Sequence, residues 1–195
     1  LIEENVVFSA LGLVITDEQH RFGVKQRQAL ESKGKSPHVL IMTATPIPRT
    51  MALSVYGDLD VSFIKGMPPG RHPVKTYVVG SHMLQRIFRF MKKEMESGHQ
   101  AYVVCPLVEQ SEKQDLAAAV SVYENLRDHV FPQFGVGLVH GRMKNAEKEQ
   151  VMEDFRKGKF NLLVATSVIE VGVNVPDATV MFVYGADRFG LSQLH

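Results

Sequence analysis

Seven short, uninterrupted apolar runs constrain the fold of this chain more than any other feature of its sequence. Their apolar residues do not alternate with polar ones, as they would in a strand with one face in water. Continuous runs of this kind are typical of parallel strands that are buried on both faces. The runs are residues 11–16, 38–43, 75–79, 101–107, 136–140, 160–166 and 179–184.

Amphipathic helical patterns lie between the runs, and further helices are predicted over residues 113–130 and 146–156. The pattern between the third and fourth runs has one apolar face, formed by Leu84, Ile87, Phe88, Met91 and Met95. Its basic residues are expected to form a solvated face, and they are Arg86, Arg89, Lys92 and Lys93. Strands that alternate with helices predict βαβ units, and therefore an α/β fold built on parallel sheets.

A segment rich in proline and glycine divides the chain. Residues 66–73 read GMPPGRHP, a composition that disfavours helix and strand and predicts an interdomain linker. Residues 1–65 contain too few strands for a complete α/β domain, so we expect them to be the C-terminal part of one. Residues 74–195 contain five predicted strands with their helices and are expected to form a nearly complete second domain.

Composition narrows the classes of partner. The net charge is +1, so a nucleic acid would bind at a local patch rather than through a field over the whole chain. Cys105 is the only cysteine, which excludes a disulfide within the chain and fits a reducing cytoplasm. The sequence has no apolar run of membrane-spanning length and no signal-peptide pattern at its start, so we expect no membrane partner.

Two carboxylates follow the first apolar run directly. Asp17 and Glu18 would lie at the carboxyl end of a strand, where open α/β sheets bind their ligands. One carboxylate could hold Mg²⁺ through water, and the other could orient or deprotonate an attacking water. The alternative is that the pair forms the capped, acidic first turn of a helix.

Small hydroxyl residues follow the second run. Residues 43–50 read TATPIPRT, and hydroxyl side chains at a strand edge can bond carboxylates or phosphate. The alternative is a loop in which Thr45 caps a helix that begins at Pro46.

The two segments together, with five others in the same order, resemble the RecG-type ATP-dependent DNA helicases of superfamily two. The resemblance covers essentially the whole chain. The motor of the transcription-repair coupling factor Mfd is similar but typically reads DEEQRFGV, so His20 favours the RecG type. The matching segments are DEQHRFGV (17–24), MTATPIPRT (42–50), MALSVYGDLD (51–60), YVVCPLVEQSE (102–112), LVHGRM (138–143), LVATSVIEVGVNVPDA (163–178) and ADRFGLSQLH (186–195).

The resemblance implies two RecA-like lobes, the first truncated at its N-terminal side and the second nearly complete. The full-length protein would be an ATP-dependent DNA helicase that remodels replication forks and recombination junctions in DNA repair and recombination. It would act in the bacterial cytoplasm, associated with the nucleoid. There are two alternatives to this function: the Mfd motor, and a non-enzymatic interaction module with a helicase-like fold. The intact Asp17–Glu18 pair argues against the module.

Roles in the first lobe are carried over from the resemblance. Asp17 matches the carboxylate that coordinates Mg²⁺, and Glu18 matches the catalytic base. Gln19 and His20 match residues that link the ATP site to the coupling segment, whose residues here are Thr43, Ala44 and Thr45.

Roles in the second lobe follow in the same way. Gly172 and Asn174 match positions that face ATP across the cleft, and Glu170 either acts on ATP or pairs with a basic neighbour. Thr166 and Ser167 match positions at a nucleic-acid backbone. Arg142 is a candidate phosphate contact, with a solvated surface residue as the alternative. His140 is a candidate for DNA binding or coupling, with a cap of a strand end as the alternative.

The phosphate-binding sequence GxxxxGK[ST] does not occur in the chain. The resemblance places it upstream, together with the domain that wedges DNA junctions, and places the arginine-rich last segment downstream. These flanking segments are therefore expected partners of the chain, and the chain by itself is expected to be inactive.

Overall fold

A computed structural model describes residues 1–3, 5–18, 23–43, 60–64, 66, 73–106, 112–166 and 175–194. The chain divides into two compact units, the first within residues 1–72 and the second within residues 73–194. Most of the predicted linker lies outside the described residues, so its assignment stays a prediction.

The first unit contains two parallel strands and one helix. Strand β1 spans Leu13–Thr16 and strand β2 spans His38–Ile41, with Leu13 opposite His38 and Thr16 opposite Ile41. Helix α1, Val24–Glu31, connects them. The strands are shorter than the apolar runs. In β1 only alternate side chains are buried, since Leu13 and Ile15 are 53% and 55% exposed. The expectation that this run is buried on both faces is therefore wrong for the described structure.

The second unit contains a four-stranded parallel sheet in the order β4-β5-β3-β6. The strands in chain order are β3 (Gln100–Cys105), β4 (Val136–Val139), β5 (Leu162–Thr166) and β6 (Ala178–Val183). Each lies on one of the predicted runs, with ends that differ by one or two residues.

The predicted strand at residues 75–79 is wrong. The described residues 73–80 are neither helix nor strand, and Val78 is fully exposed at 101%. A strand is stabilised by hydrogen bonds to a neighbouring strand and by burial of its side chains, and this run has neither in the structure. High β propensity does not replace those interactions, so the second unit has four strands within its described residues rather than five.

Helices cover both faces of this sheet. Helix α2 (Leu84–Glu96) and helix α3 (Glu112–Asn125), which continues into a π-helical turn at Leu126–Val130, pack on one face. Helix α4 (Asn145–Arg156) packs on the other, where Phe155 contacts Tyr102 edge-on. Short helical turns at Ser81–Met83 and Ala186–Arg188 and helix α5 (Leu191–Leu194) complete the unit.

Both units are thus built on parallel sheets with connecting helices, which confirms the predicted α/β fold. Among the helices that the structure describes, none has the length and apolar character to cross a membrane.

Candidate functional site

The carboxyl edge of the first sheet holds Asp17 and Glu18. Both follow β1 directly; Asp17 is exposed and Glu18 is half-buried. The Glu18 N–H donates to Asp17 Oδ1 at 2.8 Å, so one carboxylate is fixed by the backbone of the next residue. Glu18 has a φ of 49°, in the left-handed region that costs a non-glycine residue about 1–2 kcal/mol. Strain of this kind is concentrated at functional sites.

Thr43 lies at the same edge. Strand β2 ends at Ile41, opposite Thr16, and the Met42 N–H donates to the Thr16 carbonyl at 2.8 Å. The residues that follow each strand therefore leave the sheet side by side, which brings the Asp17–Glu18 segment near Thr43. The other predicted residues of this edge, Gln19, His20, Ala44 and Thr45, lie outside the described residues.

The carboxylate pair fits a magnesium site of the water-rich kind. Mg²⁺ keeps several of its waters and needs only one or two protein carboxylates. Over the described ranges, the structure contains no cluster of three or more metal-ligating side chains. Asp17 is accessible and already oriented, so it suits a single carboxylate contact, direct or through water.

The carboxyl edge of the second sheet holds His140 and Thr166. Val139 of β4 is opposite Ala165 of β5, so the next residue of each segment emerges at the same edge. Thr166 is 1% exposed. Its Oγ1 and the Nδ1 of His140 are buried and have no hydrogen-bond partner within the described part of the chain. Buried polar atoms are normally bonded, and an unmade bond is costly. The hydrogen bonds of these two atoms are therefore left to groups outside the described part of the chain.

A shallow, solvent-open depression of about 670 Å³, called the cavity below, lies beside His140 and is lined also by Arg142 and Gln150. It lies at the start of α4, where unpaired backbone N–H groups favour anions. The Glu147 carboxylate accepts a hydrogen bond from the Lys144 N–H at 2.8 Å and caps this helix end. Arg142 is exposed in the turn between β4 and α4.

The environment of His140 favours its neutral form. Burial lowers the pKa of the imidazole below its ordinary value, and the positive charges of Lys148 and Arg142 lower it further, against an opposing effect of Glu147. A phosphate in the cavity would reverse this balance by attracting the imidazolium form. Ser167, Glu170, Gly172 and Asn174 lie outside the described residues.

Two features of this edge were missed by sequence reasoning. Lys148 acts on His140, and Glu147 caps the helix that presents both of them. The signal for the cap was available, since an acidic residue three positions after a helix start is a known capping pattern. No sequence signal links Lys148 to His140, because that proximity depends on how α4 packs on the sheet.

Comparisons with known proteins show the family to which the chain belongs. The family model of the helicase conserved C-terminal domain matches residues 81–195. The chain belongs to this family. It is 55% identical over its whole length to the ATP-dependent DNA helicase RecG of Bacillus subtilis and 53% identical to RecG of Thermotoga maritima. The chain spans 29% and 25% of the length of these relatives.

Solved structures show the same likeness. A structure of RecG bound to a three-way DNA junction matches the whole chain at 47% identity and a TM-score of 0.69, with 25% of that protein covered. Dbp5 of S. cerevisiae, bound to RNA and ADP BeF3, matches 87% of the chain and 43% of its own at 13% identity and a TM-score of 0.53. The second likeness shows the fold alone, and it agrees with the predicted RecA-like fold.

Proposed function

We propose that this chain supplies part of the motor of a RecG-type ATP-dependent DNA helicase that remodels branched DNA. The observation that carries the proposal is the similarity, along the entire chain, to RecG solved on a three-way DNA junction. The same similarity favours the RecG type over Mfd. By the same argument the whole protein acts in DNA repair and recombination, in the bacterial cytoplasm at the nucleoid.

The first unit contributes to the ATP site. Asp17 holds Mg²⁺, directly or through water, and the bound ion would neutralise phosphate charge during hydrolysis. Glu18 accepts a proton from the attacking water, and its strained backbone fixes its direction relative to Asp17. Gln19 and His20 relay the state of this site to Thr43, Ala44 and Thr45. The resemblance assigns Glu170, Gly172 and Asn174 to nucleotide binding as well.

The second unit contributes to the DNA site. Thr166 and Ser167 are assigned to a backbone phosphate, as the resemblance implies, and the exposed Arg142 supplies a charged contact. The Thr166 hydroxyl is buried in the DNA-free chain, so its hydrogen bond to phosphate requires that DNA binding exposes it. His140 is the second group with an orphaned polar atom at this edge. These groups would contact the DNA backbone and not the edges of bases. DNA binding is therefore expected to be independent of base sequence and to weaken steeply with added salt.

A substitution at Thr166 separates a DNA contact from a structural role. In the full-length protein, Thr166→Val removes the hydroxyl and keeps the shape. The stability of the fold should stay level or rise, because an unbonded buried hydroxyl is replaced by a methyl group. Affinity for a three-way junction should fall about tenfold, the effect of one hydrogen bond to a charged group. Thr179→Val, which removes an exposed hydroxyl bonded to Glu94, is the matched control.

Three-way junction unwinding by the full-length protein tests the proposal as a whole. ATP-dependent unwinding with loss of junction affinity in Thr166→Val supports it. Unwinding with unchanged affinity in that variant removes Thr166 from the DNA site. Absence of DNA-stimulated ATP turnover in the wild-type protein would favour the interaction module instead.

A further inference from the structure

Helix α2 carries an exposed basic face apart from the site at the sheet edge. Arg86, Arg89 and Lys93 are three and four residues apart, so they lie on one side of the helix, and all three are exposed. The opposite side of α2 holds Met91 and Met95, which are buried against the sheet. The three cations therefore point directly away from the core.

The charge of this face is not neutralised within the chain as far as the structure describes it. None of the three cations forms an ion pair with a described carboxylate, and Arg89 makes only a long bond of 3.4 Å to the Gln85 carbonyl. Several other exposed cations of this unit are paired, although Lys75, Lys144 and Arg188 are exposed and form no ion pair with a described carboxylate. Lys92, on the flank of α2, lies 3.8 Å from Glu96, and the cations at the end of α4 pair with Glu153 and Asp154. An uncompensated row of cations attracts a polyanion.

An aromatic ring stands among these cations. Phe90 is 52% exposed and lies beside Arg86 and Lys93 on the helix surface. Proteins that bind single-stranded nucleic acid combine cations along the backbone with exposed rings on which bases stack. Arg86 and Lys93 are about 10 Å apart along the helix axis, which corresponds to roughly three nucleotides of one strand. This combination of ring and cation row favours a nucleic-acid strand over an acidic peptide.

The position of α2 connects this face with the site. Because α2 leads into the parallel strand β3, its N-terminal end lies at the carboxyl edge of the sheet, the edge that holds Thr166. A strand that leaves this edge along α2 would meet Arg86 first and Lys93 last. We propose that the exposed face of α2 binds single-stranded DNA that continues beyond the sheet-edge site. The proposal rests on the proposed function and extends the DNA path of that function.

Salt titration of the full-length protein tests the inference. Binding of a fluorescent oligothymidine is measured for the wild type, for the Arg86→Ala/Arg89→Ala/Lys93→Ala triple variant, and for Phe90→Leu. The triple variant should bind at least about tenfold more weakly at low salt, and its slope of log affinity against log salt should be shallower by about 2. Phe90→Leu should weaken binding about tenfold with an unchanged slope, because it removes stacking but no charge.

The matched control removes three cations that already have carboxylate partners: Arg156→Ala/Lys157→Ala/Lys159→Ala. Its slope should equal that of the wild type. A triple α2 variant with wild-type slope and affinity would overturn the inference and leave the proposed function intact. The inference would also be overturned if the triple α2 variant bound oligothymidine like the wild type but no longer bound polyglutamate. That result would assign the face to an acidic protein. A wild-type protein that binds neither oligothymidine nor a three-way junction would overturn the proposed function itself.

Discussion

Gln100 shows how one buried polar residue positions the elements of the second unit. Its side chain is 4% exposed, and Nε2 donates to the carbonyls of Phe155 and Phe160 at 2.6 and 2.7 Å. The Phe155 carbonyl lies in the last turn of α4, where helix carbonyls lack an intrahelical donor. Gln100 therefore ties the end of α4 and the segment before β5 to the start of β3.

Gln100→Leu should destabilise the second unit by about 1–3 kcal/mol, because it removes the donor to the Phe160 carbonyl. It also removes one of two donors to the Phe155 carbonyl, which keeps its hydrogen bond from the Gly158 N–H at 2.9 Å. Denaturant unfolding of the full-length protein, followed by a probe in this unit, measures the change. Gln150→Leu is the matched control, since Gln150 is exposed and bonds only to Asp154. Its effect should stay within about 0.5 kcal/mol. Equal effects in the two variants would contradict the role given to Gln100.

His140 leads to a prediction about pH at the DNA site. Burial and the charges of Lys148 and Arg142 lower its pKa in the DNA-free protein. A nearby phosphate raises that pKa, so DNA binding takes up a proton and affinity should increase as the pH falls from about 7.5 to about 5.5. The stability of the free protein should change in the opposite direction. The pKa of His140 is lower in the folded state than in the unfolded state. The stability that this difference contributes is fully present above about pH 6.5 and is lost as the pH falls towards the pKa of the folded state.

Fluorescence anisotropy with a three-way junction at constant ionic strength follows the first effect. His140→Gln should remove most of the pH dependence of affinity. His129 is exposed in the π-helical turn, so His129→Gln should retain that dependence. A His140→Gln protein with the wild-type pH profile would exclude His140 from contact with phosphate.

At the scale of elements, the pairing of β4 with β5 depends on a close backbone approach at Gly135. A Cβ at this position would lie 2.7 Å from the Lys159 carbonyl oxygen. The Gly135 carbonyl also accepts from the N–H groups of Asn161 and Leu162 at 2.8 and 3.1 Å. A side chain here would push apart the two strands that carry His140 and Thr166 to the sheet edge.

Gly135→Ala should therefore destabilise the second unit by about 1–3 kcal/mol, the usual cost of overpacking against atoms that cannot move. It should also weaken junction binding, because the two orphaned groups at the sheet edge shift apart. Gly12→Ala is the control, since a Cβ there meets nothing within 4 Å. Unfolding midpoints of the two variants provide the comparison, and a Gly135→Ala protein as stable as Gly12→Ala would refute the close approach.

The elements also show what sequence patterns could predict. Six apolar runs became strands. The runs of β3, β4 and β5 are buried between helices, which is visible locally as an uninterrupted apolar stretch, whereas β1, β2 and β6 each keep exposed side chains. The run at 75–79 has the same composition and is exposed, since a strand needs a partner that the local sequence does not specify. The positions of Asp17, His140 and Thr166 at the sheet edges followed from the predicted strand ends. The contacts of Gln100 were not predictable, because they join residues 55 and 60 positions apart.

At the scale of the whole molecule, each unit contributes one sheet edge to the proposed function. The first edge has a carboxylate pair suited to a hydrated Mg²⁺ and an attacking water, and the second has orphaned polar groups suited to a phosphate backbone. The proposed function assigns both edges to one ATP-driven motor on branched DNA. The chain spans 29% of the Bacillus subtilis protein, so the motor is tested in the full-length protein.

The most direct test is ATP turnover by the full-length protein on a three-way junction, with and without Glu18→Gln. Gln keeps the size of the side chain but cannot accept the proton, so turnover should fall by about 10²–10⁴ while nucleotide affinity and the melting temperature stay near wild type. Glu149→Gln, an exposed carboxylate on α4, should leave turnover unchanged. Near-normal turnover in Glu18→Gln, or a wild-type protein whose turnover does not respond to the junction, would contradict the account.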